Sequence, residues 1–160
     1  MSESTNIFPP LNLPNFPITI KKKADKHYIQ CHIRAKEILL TPEEWVRQHF
    51  IHYLINDKGY PRNLIAVEKQ IKVNKLNKRF DVLVYNKLGE PIVLVECKAA
   101  HVPLSQDVFA QAANYNMTLK VPYLIITNGL KHIQASIYFE ENRAEIDDHL
   151  LAYSELTIST

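Results

Sequence analysis

Two apolar runs decide the fold of this chain: Arg79-Phe80-Asp81-Val82-Leu83-Val84-Tyr85 and Pro91-Ile92-Val93-Leu94-Val95-Glu96-Cys97-Lys98. The residues between them, Asn86-Lys87-Leu88-Gly89, are typical of a turn. Antiparallel pairing around this turn predicts a β-hairpin that brings Asp81 beside Glu96. Because side chains alternate along a strand with a period of two, Glu96 and Lys98 should share a face.

The hairpin places three charged side chains among apolar strands, which is costly unless the charges are paired or bind a metal. Two converging carboxylates, Asp81 and Glu96, can hold a hard divalent cation, and Mg²⁺ favours such oxygen ligands. Lys98 can then orient an attacking water and stabilise charge that develops on a phosphate. A structural ion-pair cluster explains the three residues equally well, because Asp followed by Glu-x-Lys is a common pattern.

Helical patterns flank the hairpin on both sides. Thr41 can cap a helix that begins at Pro42 and runs to about Asn56, with Glu44 at the position that completes a capping box. A second helix is predicted over 106–119. Further strands are predicted over 64–73, 121–127 and 132–139.

The order from residue 41 is therefore αβββαββ, which predicts an α/β fold whose mixed β-sheet is flanked by helices. We expect one domain over 1–160, made of an extended arm (1–15), a peripheral β-hairpin (16–40), a core (41–139) and a tail (140–160).

Composition indicates an ordinary globular chain of 160 residues, with 46% hydrophobic residues and a net charge of +2. The chain shows neither a membrane-spanning run nor a secretory signal pattern, and Cys31 and Cys97 match no disulfide framework. We therefore expect a cytoplasmic protein with reduced cysteines.

Charge is concentrated in one segment. Between Arg62 and Arg79 there are six basic residues and one acid, Glu68, which we expect to be solvated. A basic face beside the carboxylates would suit a polyanion, although a solvated strand edge is the commoner origin of such a run. The candidate nucleic-acid-binding residues are Lys69, Lys72, Lys75, Lys78 and Arg79.

The order of several motifs resembles that of a known family. The motifs are 41–48 (TPEEWVRQ), 78–81 (KRFD), 95–99 (VECKA), Gln111-x-x-x-Tyr115 and 127–129 (TNG). Together they resemble the N-terminal nuclease domain of type I restriction enzyme R subunits. They are most similar to small stand-alone relatives of that domain in the PD-(D/E)XK nuclease superfamily, and the resemblance extends from about Leu13 to Phe139.

The resemblance implies a role for each residue of the hairpin. Asp81 and Glu96 would be metal ligands, the carbonyl of Cys97 would complete the set, and Lys98 would be the catalytic lysine. The metal would be Mg²⁺ or Mn²⁺. Phe80 stands where the superfamily often has proline.

Three further residues receive roles only through the resemblance. Gln111 would reach the metal site or a DNA phosphate. Tyr115 is either a site residue or a core aromatic, and Glu44 is either a helix cap or a metal ligand.

The implied function is that of a metal-dependent DNA hydrolase. A helicase motor, which the R subunit carries after its nuclease domain, does not fit in 160 residues. The alternative is therefore a module that binds nucleic acid or a partner within a restriction or repair system. DNA is the expected partner, and a homo-oligomer or a larger restriction or repair assembly is the expected setting.

Overall fold

A computed structural model describes residues 7–73 and 75–156, and these residues form two sheets and two helices. The small N-terminal sheet contains β1 (Ile20–Lys23), β2 (Lys26–Cys31) and β3 (Lys36–Leu39). The large sheet, in the order β4-β5-β6-β7-β8-β9, contains β4 (Ile65–Val73), β5 (Leu76–Tyr85), β6 (Pro91–Cys97), β7 (Tyr123–Thr127), β8 (His132–Tyr138) and β9 (Arg143–Ile146). The helices are α1 (Pro42–Asn56) and α2 (Gln106–Leu119).

The predicted α/β fold with a mixed sheet is confirmed. Strands β5 and β6 pair antiparallel, with Val82 opposite Val95, so Asp81 and Glu96 lie one residue further along neighbouring strands. Strands β6 and β7 are parallel because the connection through α2 returns the chain to the end of the sheet at which β6 begins. All other neighbouring strands of the large sheet are antiparallel.

Both helices begin at a side-chain cap, and the cap of α1 is the predicted Thr41. The Thr41 hydroxyl accepts a hydrogen bond from the Glu44 N–H at 3.0 Å, and Pro42 occupies the first turn. The Ser105 hydroxyl does the same for α2, accepting from the Val108 N–H at 3.3 Å. These caps fix where each helix meets the sheet.

Helix α1 is buried on more sides than the apolar spacing predicts. One side packs on the large sheet through Val46, Phe50 and Leu54. The other side is covered by the small sheet and the N-terminal segment, where Trp45 packs with Ile29. Charged residues of α1 are therefore enclosed as well.

Three segment predictions need correction. The peripheral hairpin is a three-stranded sheet, because β3 pairs with β2. The predicted arm packs on the core, where the Asn12 N–H donates to the Gly129 carbonyl at 2.8 Å. The predicted tail adds the edge strand β9 and buries Leu150 and Leu156 in the core.

Parts of three predictions concern residues that the structure does not describe. The arm was predicted to start at residue 1, the tail to reach residue 160 and the β4–β5 turn to include Asn74. Residues 1–6, 157–160 and 74 lie outside the described residues.

Within the described ranges, no helix is long and apolar enough to cross a membrane.

Candidate active site

The β5–β6 hairpin brings the predicted residues together. Asp81 Oδ2 accepts a hydrogen bond from the backbone N–H of Cys97 at 2.8 Å, which ties the acid to the end of β6. Lys98 follows directly, and its Nζ lies 3.7 Å from Glu96 Oε1. The backbone N–H of Lys98 donates to the Thr127 carbonyl at 2.8 Å, so the end of β7 positions this lysine.

Glu96 is the acid whose protonation the site changes most. Burial, followed by the negative charge of Asp81, raises the pKa of Glu96 to about 7, and Lys98 opposes this rise. The carboxylates of Asp81 and Glu96 repel each other when both are ionised. The site therefore favours a positive charge placed between Asp81 and Glu96.

Arg47 of α1 supplies one such charge. Its Nη2 donates to Asp81 Oδ1 at 2.9 Å and to Glu43 Oε1 at 3.1 Å. Its Nη1 donates to Glu44 Oε2 and to Glu68 Oε1, the latter at 3.2 Å. Burial lowers the pKa of Arg47, but the charges of Glu44 and Asp81 outweigh burial and the net shift is upward.

Glu44 is held by two arginines and does not complete the predicted capping box. Its side chain is only 2% exposed, and its two oxygens accept from Arg34 Nη2 at 2.8 Å and from Arg47 Nη1. The carboxylate therefore does not fold back onto Thr41 to complete a capping box, although the Thr41 hydroxyl still caps the helix. Two arginines hold it, and one of them, Arg47, also contacts Asp81.

Glu43 is the first-helix acid that faces the site. Its side chain is 46% exposed, and burial, followed by the charge of Asp81, raises the pKa of Glu43. Charges of Arg47 and Lys98 oppose this rise. Sequence reasoning missed Glu43 because two adjacent glutamates in a first turn differ only in the direction they face.

Glu68 is not solvated as predicted. It forms ion pairs with Arg34 at 2.7 Å, with Arg47 and with Arg79. Its backbone has a φ of 51°, and the regular β4–β5 pairing is interrupted there, between the Val67–Val82 and Lys69–Phe80 pairs. This conformation holds the Glu68 carboxylate on the α1 side of the sheet.

A cleft of about 370 Å³ opens on the other side of Glu96, between β5 and α2. Glu96, Lys98, Gln111 and Tyr115 line it. Gln111 of α2 therefore lines the same cleft as Glu96 and Lys98. Tyr115 is not a core aromatic: it is 46% exposed, with Lys78 Nζ 5.0 Å from the centre of its ring.

The basic residues of the β4–β5 segment are divided in their contacts. Lys69, Lys72 and Lys75 are exposed. Lys78 lies over the Tyr115 ring, and Arg79 pairs with Glu68. Three lysines of this segment are thus exposed, while Lys78 and Arg79 line the cleft.

The Thr127-Asn128-Gly129 motif holds the segment around Lys98 in place through hydrogen bonds. The Asn128 side chain donates to the Val102 carbonyl at 2.8 Å, which holds the loop that follows Lys98. The Thr127 hydroxyl accepts from the Gly129 N–H at 3.0 Å. The motif is therefore a scaffold for the segment that carries Lys98.

The donor set suits a hard cation that keeps most of its waters. Among residues 7–73 and 75–156, no group of three or more His, Cys, Asp and Glu side chains is arranged to hold a metal ion. Mg²⁺ needs only one or two protein carboxylates, and a carboxylate that accepts one hydrogen bond per oxygen retains free lone pairs. Asp81 and Glu96 meet that requirement, and Glu43 adds negative charge nearby.

The mixed sheet, the two flanking helices and the acidic hairpin define a restriction-endonuclease-like α/β domain. Residues 42–149 match the family model described as the type I restriction enzyme R protein N terminus (HSDR_N). The match covers more than half of the 160 residues, and the chain therefore belongs to this family.

One solved structure gives a measure of the likeness in fold. It is a fragment described as the HsdR subunit of a type I restriction enzyme from Vibrio vulnificus YJ016, with 20% sequence identity and a TM-score of 0.56. The likeness covers 73% of this chain and 24% of that chain, so this chain spans about a quarter of the fragment. No curated protein matches the sequence.

Proposed function

We propose that this domain is a metal-dependent DNA phosphodiester hydrolase. One observation carries the proposal: Glu96, Lys98 and Gln111, which come from two elements, line a single cleft, and the charge of Asp81 acts on Glu96. Membership of a restriction-enzyme family supports DNA as the substrate. It also supports assembly with other restriction subunits.

Asp81 and Glu96 would hold Mg²⁺ or Mn²⁺, with the Cys97 carbonyl as a further ligand. When bound, the cation supplies Lewis-acid polarisation of a phosphate oxygen and neutralises developing charge. The backbone N–H of Cys97 donates to Asp81 Oδ2 at 2.8 Å and so holds the Asp81 carboxylate beside the end of β6.

Lys98 would act on the water and on the phosphate. Its ammonium is held near Glu96 by a 3.7 Å contact and is oriented by the backbone bond to Thr127. From there it can donate a hydrogen bond to the attacking water and stabilise the negative charge of the transition state. Gln111, across the cleft, can donate its amide N–H to a non-bridging phosphate oxygen.

Cleavage by matched lysine variants tests this proposal. The parent should nick or degrade plasmid, linear or single-stranded DNA in Mg²⁺ or Mn²⁺, and Lys98→Ala should lose this activity by roughly a hundredfold or more. Lys87→Ala is the control, because Lys87 is an exposed lysine in the β5–β6 turn at the opposite end of the hairpin. Equal cleavage by both variants would exclude the role of Lys98.

A second function is favoured by the contact between Arg47 and Asp81. An arginine that already neutralises Asp81 at 2.9 Å can make the acidic cluster a structural network, in a module that binds nucleic acid or a partner without turnover. Calorimetric titration with Mg²⁺ separates the two functions. The hydrolase requires binding that Asp81→Ala abolishes, whereas the binding module should retain salt-dependent DNA affinity in the same variant.

A further inference from the structure

Strands β4 and β5 continue past the end of β6 as a two-stranded arm, residues 69–73 and 75–80. The β5–β6 pairing ends at Val82–Val95, two residues before Cys97, the last residue of β6. Residues 76–79 of β5 therefore have β4 as their partner and no neighbour from β6. At about 3.3 Å per residue, the arm extends about 13 Å beyond β6.

The arm is positively charged, and none of its own residues neutralises that charge. Residues 69–80 include five basic residues and no acidic residue. Lys69, Lys72 and Lys75 are exposed along it. Lys69 and Lys72 are three residues apart on β4 and therefore lie on opposite faces of the arm. A projecting arm that is basic on both faces attracts a polyanion, whose counterions are released on binding.

An exposed leucine lies near the tip of this charged arm. Leu76 is 64% exposed, although a leucine on a lysine-rich arm gains no stability from contact with water. Cross-strand alternation places Leu76 on the same face as Lys78 and Phe80, two residues that line the cleft. Leu76 therefore lies on the cleft side of the arm, about 13 Å from Phe80.

We infer that the arm enters the minor groove of duplex DNA and that Leu76 inserts between neighbouring base pairs. The inference rests on the proposed function, because a backbone seated in the cleft brings the groove to the arm. Leucine is among the apolar side chains that act as wedges between base steps. The exposed lysines neutralise the phosphates on either side. Insertion between stacked base pairs requires a duplex, so the substrate class is duplex DNA rather than a single strand.

A pair of leucine variants tests the wedge. Leu76→Ala removes it, and Leu88→Ala is the control, because Leu88 is 71% exposed in the β5–β6 turn at the other end of the same strand. Binding is measured for the full chain in EDTA, so that cleavage does not interfere. The probe is a short duplex with a fluorescent adenine analogue, and its single strand is the comparison.

The parent and Leu88→Ala should bind the duplex more tightly than the single strand and raise the fluorescence of the unstacked analogue. Leu76→Ala should lose this rise and bind the duplex roughly tenfold more weakly. Equal behaviour of the two variants, or equal affinity for both probes, overturns the inference. So does a sedimentation shift towards monomer in Leu76→Ala without any change in DNA binding, which would make the tip a contact between copies.

The outcome is separable from that of the proposed hydrolase. If the parent binds and unstacks duplex DNA but never cleaves it, hydrolysis is excluded and the arm inference stands. If cleavage depends on Lys98 while Leu76→Ala binds like the parent, the hydrolase stands and the arm inference is excluded.

Discussion

The guanidinium of Arg47 donates from Nη2 to Oδ1 of Asp81 over 2.9 Å, which joins the first helix to the acidic hairpin. The same side chain is nearly enclosed and also contacts Glu43, Glu44 and Glu68. Replacing it with methionine keeps much of its length but removes a counter-charge from the enclosed Glu44 and from the largely buried Asp81. The free energy of unfolding should fall by about 3 kcal/mol.

Urea unfolding of Arg47→Met measures this loss. Arg143→Met is the matched control, because Arg143 pairs with Glu141 and Glu145 on the surface, and such pairs contribute little. A midpoint for Arg47→Met equal to that of Arg143→Met would show that the carboxylate cluster does not depend on Arg47.

Substitution of Glu44 should mainly lower stability, whereas substitution of its neighbour Glu43 should mainly weaken Mg²⁺ binding. Glu44→Gln removes charge from an acid held by Arg34 and Arg47, so unfolding should become easier by roughly 2 kcal/mol. Glu43→Gln removes charge from the half-exposed acid near Asp81 and should leave stability almost unchanged. Mg²⁺ affinity should instead fall roughly tenfold.

Calorimetry and urea unfolding of the two variants provide the comparison. Each variant is the control for the other, because the residue type, the substitution and the helix are the same. The assignment of Glu43 to the site is wrong if Glu43→Gln binds Mg²⁺ like the parent, provided that the parent binds it.

The local parts of the site were predictable from sequence, because alternation and turn chemistry act over a few residues. Asp81, Glu96 and Lys98 are brought together by one hairpin, and that hairpin is confirmed. The arginine network was not predictable. Arg34 contacts Glu68 across 34 positions, and such contacts leave no periodic signal.

The edge of the large sheet was predicted only in part, because the fading pattern beyond Glu140 allowed either a short edge strand or a helix. Strand β9 exposes all four of its side chains, so it has no apolar alternation, and backbone hydrogen bonds to β8 form it. The choice between Glu43 and Glu44 depended on how α1 is rotated on the sheet. Helix α1 packs on both the large sheet and the small sheet, and the third strand of the small sheet was not predicted.

Gly129 should be more sensitive to substitution than Gly89. Both have a positive φ, 84° and 81°, so alanine is strained at either position. A Cβ at Gly129 would lie 2.7 Å from Leu11 Cδ2, whereas a Cβ at Gly89 meets nothing within 4 Å. Gly129→Ala should therefore lower the urea midpoint more than Gly89→Ala does.

A double-mutant cycle identifies the contact responsible. If the Leu11 methyl causes the extra loss, Leu11→Ala and Gly129→Ala together should cost less than the sum of the two changes. Strict additivity would show that backbone strain alone accounts for Gly129. The result bears on the site, because Gly129 belongs to the loop that positions the segment after Lys98.

Acid should destabilise the fold through buried histidines. Burial, followed by the charge of His32, lowers the pKa of His52 from 6.5 to about 4, and the ring stacks on Phe16 at 3.7 Å. Between these two pH values the unfolded chain binds more protons than the folded chain, so stability falls as the pH falls from 6.5 towards 4.

His52→Phe keeps an aromatic ring against Phe16 and removes the titration, so its loss of stability over that range should be smaller. Urea unfolding at several pH values measures both slopes. Equal slopes for the parent and His52→Phe would show that His52 contributes nothing to the acid sensitivity and that other groups, such as His49, carry it.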